Sequence, residues 1–353
     1  MRTEDFDFTF PKELIAQKPA SPRDHSRLMI VNRKTSEITH EYFYNLPQYL
    51  SADDVMVFNN SKVVPYRLIG RRTRQKGKKE FHINVEILLL EETRPYIWKA
   101  IAKPQRRLAK DDLLRFGIGK DHIEFVVDSF LEDGTVLIRA GKRKDAVIKS
   151  LQKVGQMPTP PYITKKLKSS EQYQTIYAKV AGSAAAPTAG FHFTPKTFKD
   201  LAKLGIKHYE TTLHVGLGTF KPMKGDKIED HYMHSERIFL DAKTAHSLNA
   251  AKKSGKRIIT VGTTSLRTLE SLSSKRGVLK PTSKQGAQTD IFITPGYEFR
   301  FTDALLTNFH LPKTTLFVLV SAFADRELML RAYKEAIAKK YRFFSFGDAM
   351  LII

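Results

Sequence analysis

The sequence predicts an α/β domain built from both ends of the chain, with an all-β module inserted into it. Three observations carry that prediction. Beyond residue 153, short strand-like runs alternate with amphipathic segments, the order of an α/β fold with mostly parallel pairing. From 68 to 152 the pattern changes to short β-branched or aromatic runs with no convincing helical period. Residues 1–67 then carry two more strand-like runs between polar turn formers. The expected division is a discontinuous domain of 1–67 and 153–353, with 68–152 as the insert.

In chain order, RLMIVN (27–32) and DVMVFNN (54–60) are the first strands. LIGRR, FHINVEILLL, YIWKAIAK, DLLRFG, HIEFVVDSFL and TVLIRA follow, separated by Gly, Asp or basic turns, and read as a small barrel. After the Pro-rich joint GQMPTPPYI, the segment SSEQYQTIYAKVAG has Ser169 with Gln172 three residues on, a capping-box pattern that predicts a helix. TPKTFKDLAKLG has Thr194 as N-cap, Pro195 at the first helical position and Gly205 at its end. DAKTAHSLNAAKKSG and ADRELMLRAYKEAIAKKY are amphipathic helices. HYETTLHVG, RIITVG, ALLTNF and TLFVLVSAF (315–323) are the strands between them.

Composition narrows the function. The chain has 353 residues, 41% hydrophobic and 27% charged, the mix of a globular protein with a substantial core. No apolar run reaches membrane-spanning length and the acidic start MRTEDFDFTFP is no export signal, so a cytoplasmic protein with no membrane partner is expected. The absence of Cys excludes disulfides, thiolate nucleophiles and iron–sulfur clusters. Lys and Arg number 59 against 37 acids, a net charge of +22, which suits a polyanion unless it is only a generally Lys-rich composition. RRTRQKGKK (71–79) and KPQRRLAK are the basic runs most suited to a phosphate backbone.

The chemistry-bearing stretches are individually ambiguous. HYMHSE (231–236) invites a metal, but on a strand His234 and Glu236 share a face while His231 points away, and the spacing is not that of HExxH. An acid–base couple of His234 and Glu236 fits better, and an exposed pair at a strand edge fits nearly as well. HVGLGTF, with Gly216 and Gly218 two apart after His214, is a tight turn or a place of close backbone approach to a ligand, not a dinucleotide fingerprint. VGTTSLRTLES is a strand, a turn at Gly262, Thr263 and Thr264, and a helix start with Arg267 nearby, suited to a carboxylate or phosphate. GSAAAPTAGFHFT is a featureless small-residue run up to His192, and TNFHLPKTT sets Asn308, His310 and Lys313 beside an apolar segment.

Taken in order these stretches resemble one family. GSAAAPTAGFHFT, HVGLGTF, HYMHSE, GTTSLRTLES, TDIFITPGYEFRFTDALLTNFHLPKTT and YRFFSFGDAMLI, with FDFTFPKELIAQKPASPRDHSRLMIV and VFNNSKVVPYRLIGR, resemble the S-adenosylmethionine:tRNA ribosyltransferase-isomerases of queuosine biosynthesis. The likeness runs from about residue 5 to the C-terminus and weakens only across the β module. Pro65-Tyr66-Arg67-Leu68 and Pro158-Thr159-Pro160-Pro161 depart from the family's usual wording, both at the joints of the insert.

The resemblance implies a barrel-like mixed α/β domain interrupted by a β-barrel. It implies a monomeric enzyme that moves and isomerises the ribosyl part of S-adenosylmethionine onto tRNA bearing an aminomethyl-deazaguanine wobble base. Adenine and methionine leave and epoxyqueuosine remains. S-adenosylmethionine is consumed as a substrate, and no metal or bound cofactor is implied. Such a reaction needs a base at the ribose 5′-carbon and proton donation to adenine, tasks for His and Glu. His234 with Glu236, or His214, are the candidates for proton transfer. Asn308 and His310 are expected to position ribose or base, and the Gly262–Thr264 turn with Arg267 to hold the methionine carboxylate. His192, Gly216, Gly218 and Lys313 complete the expected substrate site. Arg71, Arg72, Arg74, Lys103, Arg106 and Arg107 are the expected tRNA grip. The competing classes are a metal-dependent hydrolase and a non-catalytic RNA-binding module, neither of which accounts for the motif order.

Overall fold

The computed structural model describes all residues except 77–78, 120, 217–222 and 224. The chain divides into two compact units, one of residues 1–62 and 160–353, the other of 63–159.

The first unit opens with β1 (Arg27–Val31), β2 (Ile38–Tyr42) and β3 (Asp54–Asn59), and β4 (Ser61–Val63) follows at the joint. The second unit holds β5 (Arg67–Lys76), β6 (Lys79–Arg94), β7 (Ile97–Lys103), β8 (Leu113–Ile118), β9 (Asp121–Phe130), β10 (Val136–Ala140) and helix α1 (Lys144–Val154). The first unit resumes with β11 (Val180–Ser183), α2 (Pro195–Lys203), β12 (Lys207–Leu213), β13 (Glu236–Phe239), α3 (Ala242–Lys253) and β14 (Arg257–Val261). It ends with α4 (Thr263–Leu272), β15 (Ala287–Thr289), β16 (Ala304–Asn308), α5 (Thr315–Phe323), α6 (Arg326–Ala338) and β17 (Ala349–Ile352).

Nine of the described strands form one sheet in the order β15-β13-β12-β3-β14-β16-β17-β1-β2. It is laid out as an open sheet with edge strands β15 and β2, not with the barrel-like closure expected. Parallel pairing holds for its centre, β12-β3-β14-β16, and for β1 with β17. The flanks are antiparallel, so the sheet is mixed rather than mostly parallel.

The central strands are apolar on both faces because both faces are covered. β3 is buried at every position. Alternation then sorts its side chains between two cores. Met56 and Phe58 join Leu28, Ile30, Ile259, Val261, Leu306 and Leu351 on one face. Val55 and Val57 meet Ile258 and Leu269 on the other. Further along that second face, Met29, Leu305 and Met350 pack on α5 and α6 through Phe317, Val320 and Tyr333.

Three elements test the sequence reading. TLFVLVSAF is helix α5 rather than a strand: Thr314 caps it by accepting the Phe317 N–H at 3.3 Å, and the segment is almost wholly buried. A short apolar run enclosed on all sides has no period to distinguish helix from strand. SSEQYQTIYAKVAG forms only a 3-10 turn, Ser170–Tyr173, and then β11, because the Ser169 side chain caps nothing. α2 behaves as read, with the Thr194–Thr197 capping box, Pro195 at its start and Gly205 at φ +74°.

The second unit is a closed barrel, β10-β7-β6-β5-β8-β9, filled by Trp98, Phe116, Phe125, Val136 and Ile138. It is not all-β: α1 lays Val147, Leu151 and Val154 against that core.

Candidate active site

In the first unit a solvent-open pocket lies at the carboxyl ends of β14 and β16. That is the usual place for a ligand in an open α/β sheet. Gly262 leaves β14 at φ +86°, a conformation that favours glycine, and donates its N–H to the Leu306 carbonyl at 2.7 Å. It is also the N-cap of α4, and as a glycine it brings no side chain to cap that helix start. The first-turn N–H groups therefore face the pocket through Thr263 and Thr264 with the positive end of the helix dipole. Thr264 adds a buried Oγ1 without a hydrogen-bond partner among the described residues.

The opposite wall is a chain of neutral hydrogen bonds. Thr188 Oγ1 donates to Asn308 Oδ1 at 2.8 Å, and Asn308 Nδ2 donates to His192 Nε2 at 3.1 Å. The proton of His192 then lies on Nδ1, 2.7 Å from Ser26 Oγ. Phe43 stacks on the imidazole with ring centroids 5.1 Å apart. Burial lowers the His192 pKa to about 4, with Asp348 opposing and Arg342 and Arg23 assisting. His310 sits near Thr307 Oγ1 at 3.0 Å and donates its own backbone N–H to the Tyr333 hydroxyl. Burial lowers its pKa to about 3. Both imidazoles are neutral near pH 7 and serve as fixed hydrogen-bonding groups. Tyr162 and Ser345, joined at 2.8 Å, close another side.

The histidine–glutamate couple read from HYMHSE is not the arrangement found. β13 begins only at Glu236, so strand alternation does not extend back to His234. Glu236 is buried and ion-paired to Arg267 Nη1, and its Oε1 accepts the Gly216 N–H at 3.0 Å. His234 is exposed, 6.1 Å from the ring of Tyr232. His231 packs edge-on to Phe292, and burial, then the nearby His234, lowers its pKa. Among the described residues no three His, Asp or Glu side chains gather as a metal site would need.

Arg267, expected beside a substrate carboxylate, lies 3% exposed between Glu236 and the Ile291 carbonyl. It reaches that position because it lies one helical turn into α4, on the side that packs against β13. His214 follows β12, half-buried, immediately before Val215 of the pocket wall, with its ring against Gly182 and Phe239. Gly218 falls outside the described residues. Lys313 adopts φ +55° and directs its ammonium to Glu4 at 2.9 Å and Asp7 at 3.0 Å, contacts that raise its pKa. It is thus a tie to the N-terminal segment.

The expected tRNA grip lies on the barrel unit. Arg71, Lys103, Arg106 and Arg107 are exposed or half-buried at its surface. Arg74 instead holds Asp112 with two hydrogen bonds, at 2.8 and 2.6 Å, and Arg72 is buried 3.7 Å from the same carboxylate. Asp112 takes these two out of the free cationic surface because an unpaired buried carboxylate would be costly. Sequence reasoning missed Ser26, Thr188, Thr307, Tyr162 and Ser345. They are ordinary polar residues far apart in the chain, and only the fold gathers them.

An uncapped helix start facing neutral amide and imidazole groups, at the strand ends of an α/β sheet, defines an enzyme site for a small polar substrate. The chain matches the model of the queuosine biosynthesis protein family over residues 3–352. It is 49% identical, over the whole of both chains, to an S-adenosylmethionine:tRNA ribosyltransferase-isomerase of Thermoanaerobacter sp. (strain X514). A protein of that name from Desulfitobacterium hafniense is 48% identical over the same full extent. The crystal structure of an S-adenosylmethionine tRNA ribosyltransferase from Thermotoga maritima is 35% identical and superposes with a TM-score of 0.54, covering 99% of this chain and 100% of that one. The chain belongs to this family of ribosyltransferase-isomerases.

Proposed function

We propose that the protein transfers and isomerises the ribosyl group of S-adenosylmethionine onto the aminomethyl-deazaguanine wobble base of tRNA, as a cytoplasmic monomer that needs no bound cofactor. The observation that carries this reading, beside family membership, is the pairing of an anion-seeking helix start with a neutral hydrogen-bonding wall across one pocket. The α4 start with Thr264 Oγ1 suits the methionine carboxylate. Asn308 and His310 suit ribose hydroxyls or the adenine edge, which need partners without charge, while His192, outside the pocket lining, holds the Asn308 amide from behind.

His214 takes the proton from the ribose 5′-carbon beside the sulfonium. Adenine leaves with a proton, the amine of the tRNA base attacks, and methionine departs as the epoxide closes. His214 is favoured over a His234–Glu236 pair because Glu236 is engaged by Arg267. Glu236 acts at one remove, holding the Gly216 backbone beside the pocket. The barrel unit, as the inserted domain, contributes phosphate contacts through Arg71, Lys103, Arg106 and Arg107. The deciding experiment is adenine release from S-adenosylmethionine with and without tRNA carrying the aminomethyl base. Release that depends on that tRNA supports the reading; no release from folded protein with competent tRNA ends it.

A further inference from the structure

Phe43, fully buried, stacks on His192, but its chain neighbours Tyr42 and Tyr44 turn outward. Their rings lie 5.4 Å apart with planes only 5° from parallel, and they remain 47% and 40% exposed. The exposed His25 ring meets Tyr44 at 5.3 Å. Three aromatic rings grouped in water forgo the burial that large aromatics usually obtain, so packing alone does not account for them.

The surroundings are basic. Arg27 lies directly across the β1–β2 ladder from Tyr42. Its guanidinium is 4.0 Å from the Tyr341 ring centroid and donates to the carbonyls of Lys339 and Lys340, which brings two exposed lysines to the same face. The carboxylates nearby have partners: Asp348 lies 3.5 Å from the Arg27 guanidinium, Glu41 accepts from Asn45 at 2.7 Å, and Glu335 contacts His40 at 2.7 Å. Parallel exposed aromatics with a cationic border are an arrangement that holds unpaired bases, with an outer ring face open to a base and the cations near the adjoining phosphates. A protein-docking patch could share these aromatics but would carry fewer lysines.

We propose that Tyr42, Tyr44 and His25 form a stacking platform for an unpaired base of the tRNA, bordered by Lys339 and Lys340 as phosphate contacts. This rests on the tRNA reading above. The test measures tRNA affinity of the full chain over a salt series, using tRNA that carries the aminomethyl base. The Y42A/Y44A variant should bind about five- to a hundredfold more weakly, with the salt slope and S-adenosylmethionine binding unchanged. The Y42F/Y44F variant, which keeps the rings, should match the unsubstituted protein. K339A/K340A should flatten the slope by about 0.7–0.9 for each phosphate that is no longer neutralised. Unchanged affinity in Y42A/Y44A, or equal loss in Y42F/Y44F, overturns the platform, and an unchanged slope in K339A/K340A removes those lysines from it. Failure of the unsubstituted protein to bind tRNA overturns the functional reading itself, which keeps the two failures distinct.

Discussion

At the scale of single residues, burial decides what each histidine can do. His192 and His310 are enclosed, and burial holds both far below the ordinary value of 6.5, at about 4 and about 3. The unfolded chain therefore binds more protons than the folded one between pH 6.5 and those lowered values. Stability from these two groups is fully present above pH 6.5 and drains away as pH falls through that window. Thermal melts from pH 7 to 4 should show a falling midpoint, and His310→Gln should make the fall shallower. An equal fall in that variant would assign the acid sensitivity elsewhere. His214 is half-buried beside Val215, and the proposed function gives it the different task of moving a proton. His214→Ala should lower adenine release by about 10²–10⁴-fold, the usual worth of a general base, with tRNA affinity unchanged. Full activity in that variant would return the role to His234.

At the scale of elements, the sequence was readable wherever one face of a segment differed from the other or a cap marked its end. β1, β3, β14 and α2 lie where the strand-like runs and caps place them. α5 was not readable because enclosure removes the contrast between faces, although Thr314 before an apolar run was a usable cap signal. α1 was legible in principle: Val147, Leu151 and Val154 recur at helical spacing, but charged neighbours mask them. The pocket was half legible. Its glycine turn and Asn308 stand in recognisable contexts, whereas the Arg267–Glu236 pair joins α4 to β13 across 31 positions of sequence with nothing local to announce it. That pair ties the helix start to the strand beside Gly216. Glu236→Ala should destabilise the protein by about 3–5 kcal/mol, because it leaves the Arg267 charge buried and alone. Adding Arg267→Met should recover part of the loss in urea denaturation. Additive losses would mean that the two side chains do not act as a pair.

At the scale of the whole molecule, the net charge of +22 is the feature that composition alone interprets least well. The reacting sulfonium is itself a cation and gains nothing from a basic surface, so the excess is better matched to a polyanion. The structure refines which charges are available. Asp112 withdraws Arg72 and Arg74, while Arg71, Lys103, Arg106 and Arg107 remain at the surface. An Arg106→Ala/Arg107→Ala variant should therefore weaken tRNA binding and flatten the dependence of log K on log salt by about 0.7–0.9 for each phosphate left without its cation. Arg74→Ala should instead lower stability by freeing Asp112, with a smaller change in that slope. Because the proposed function assigns the surface arginines to phosphates and not to the reacting atoms, adenine release at saturating tRNA should keep its rate in the Arg106/Arg107 variant. A rate that fell while the salt slope held would move these residues from the grip to the chemistry.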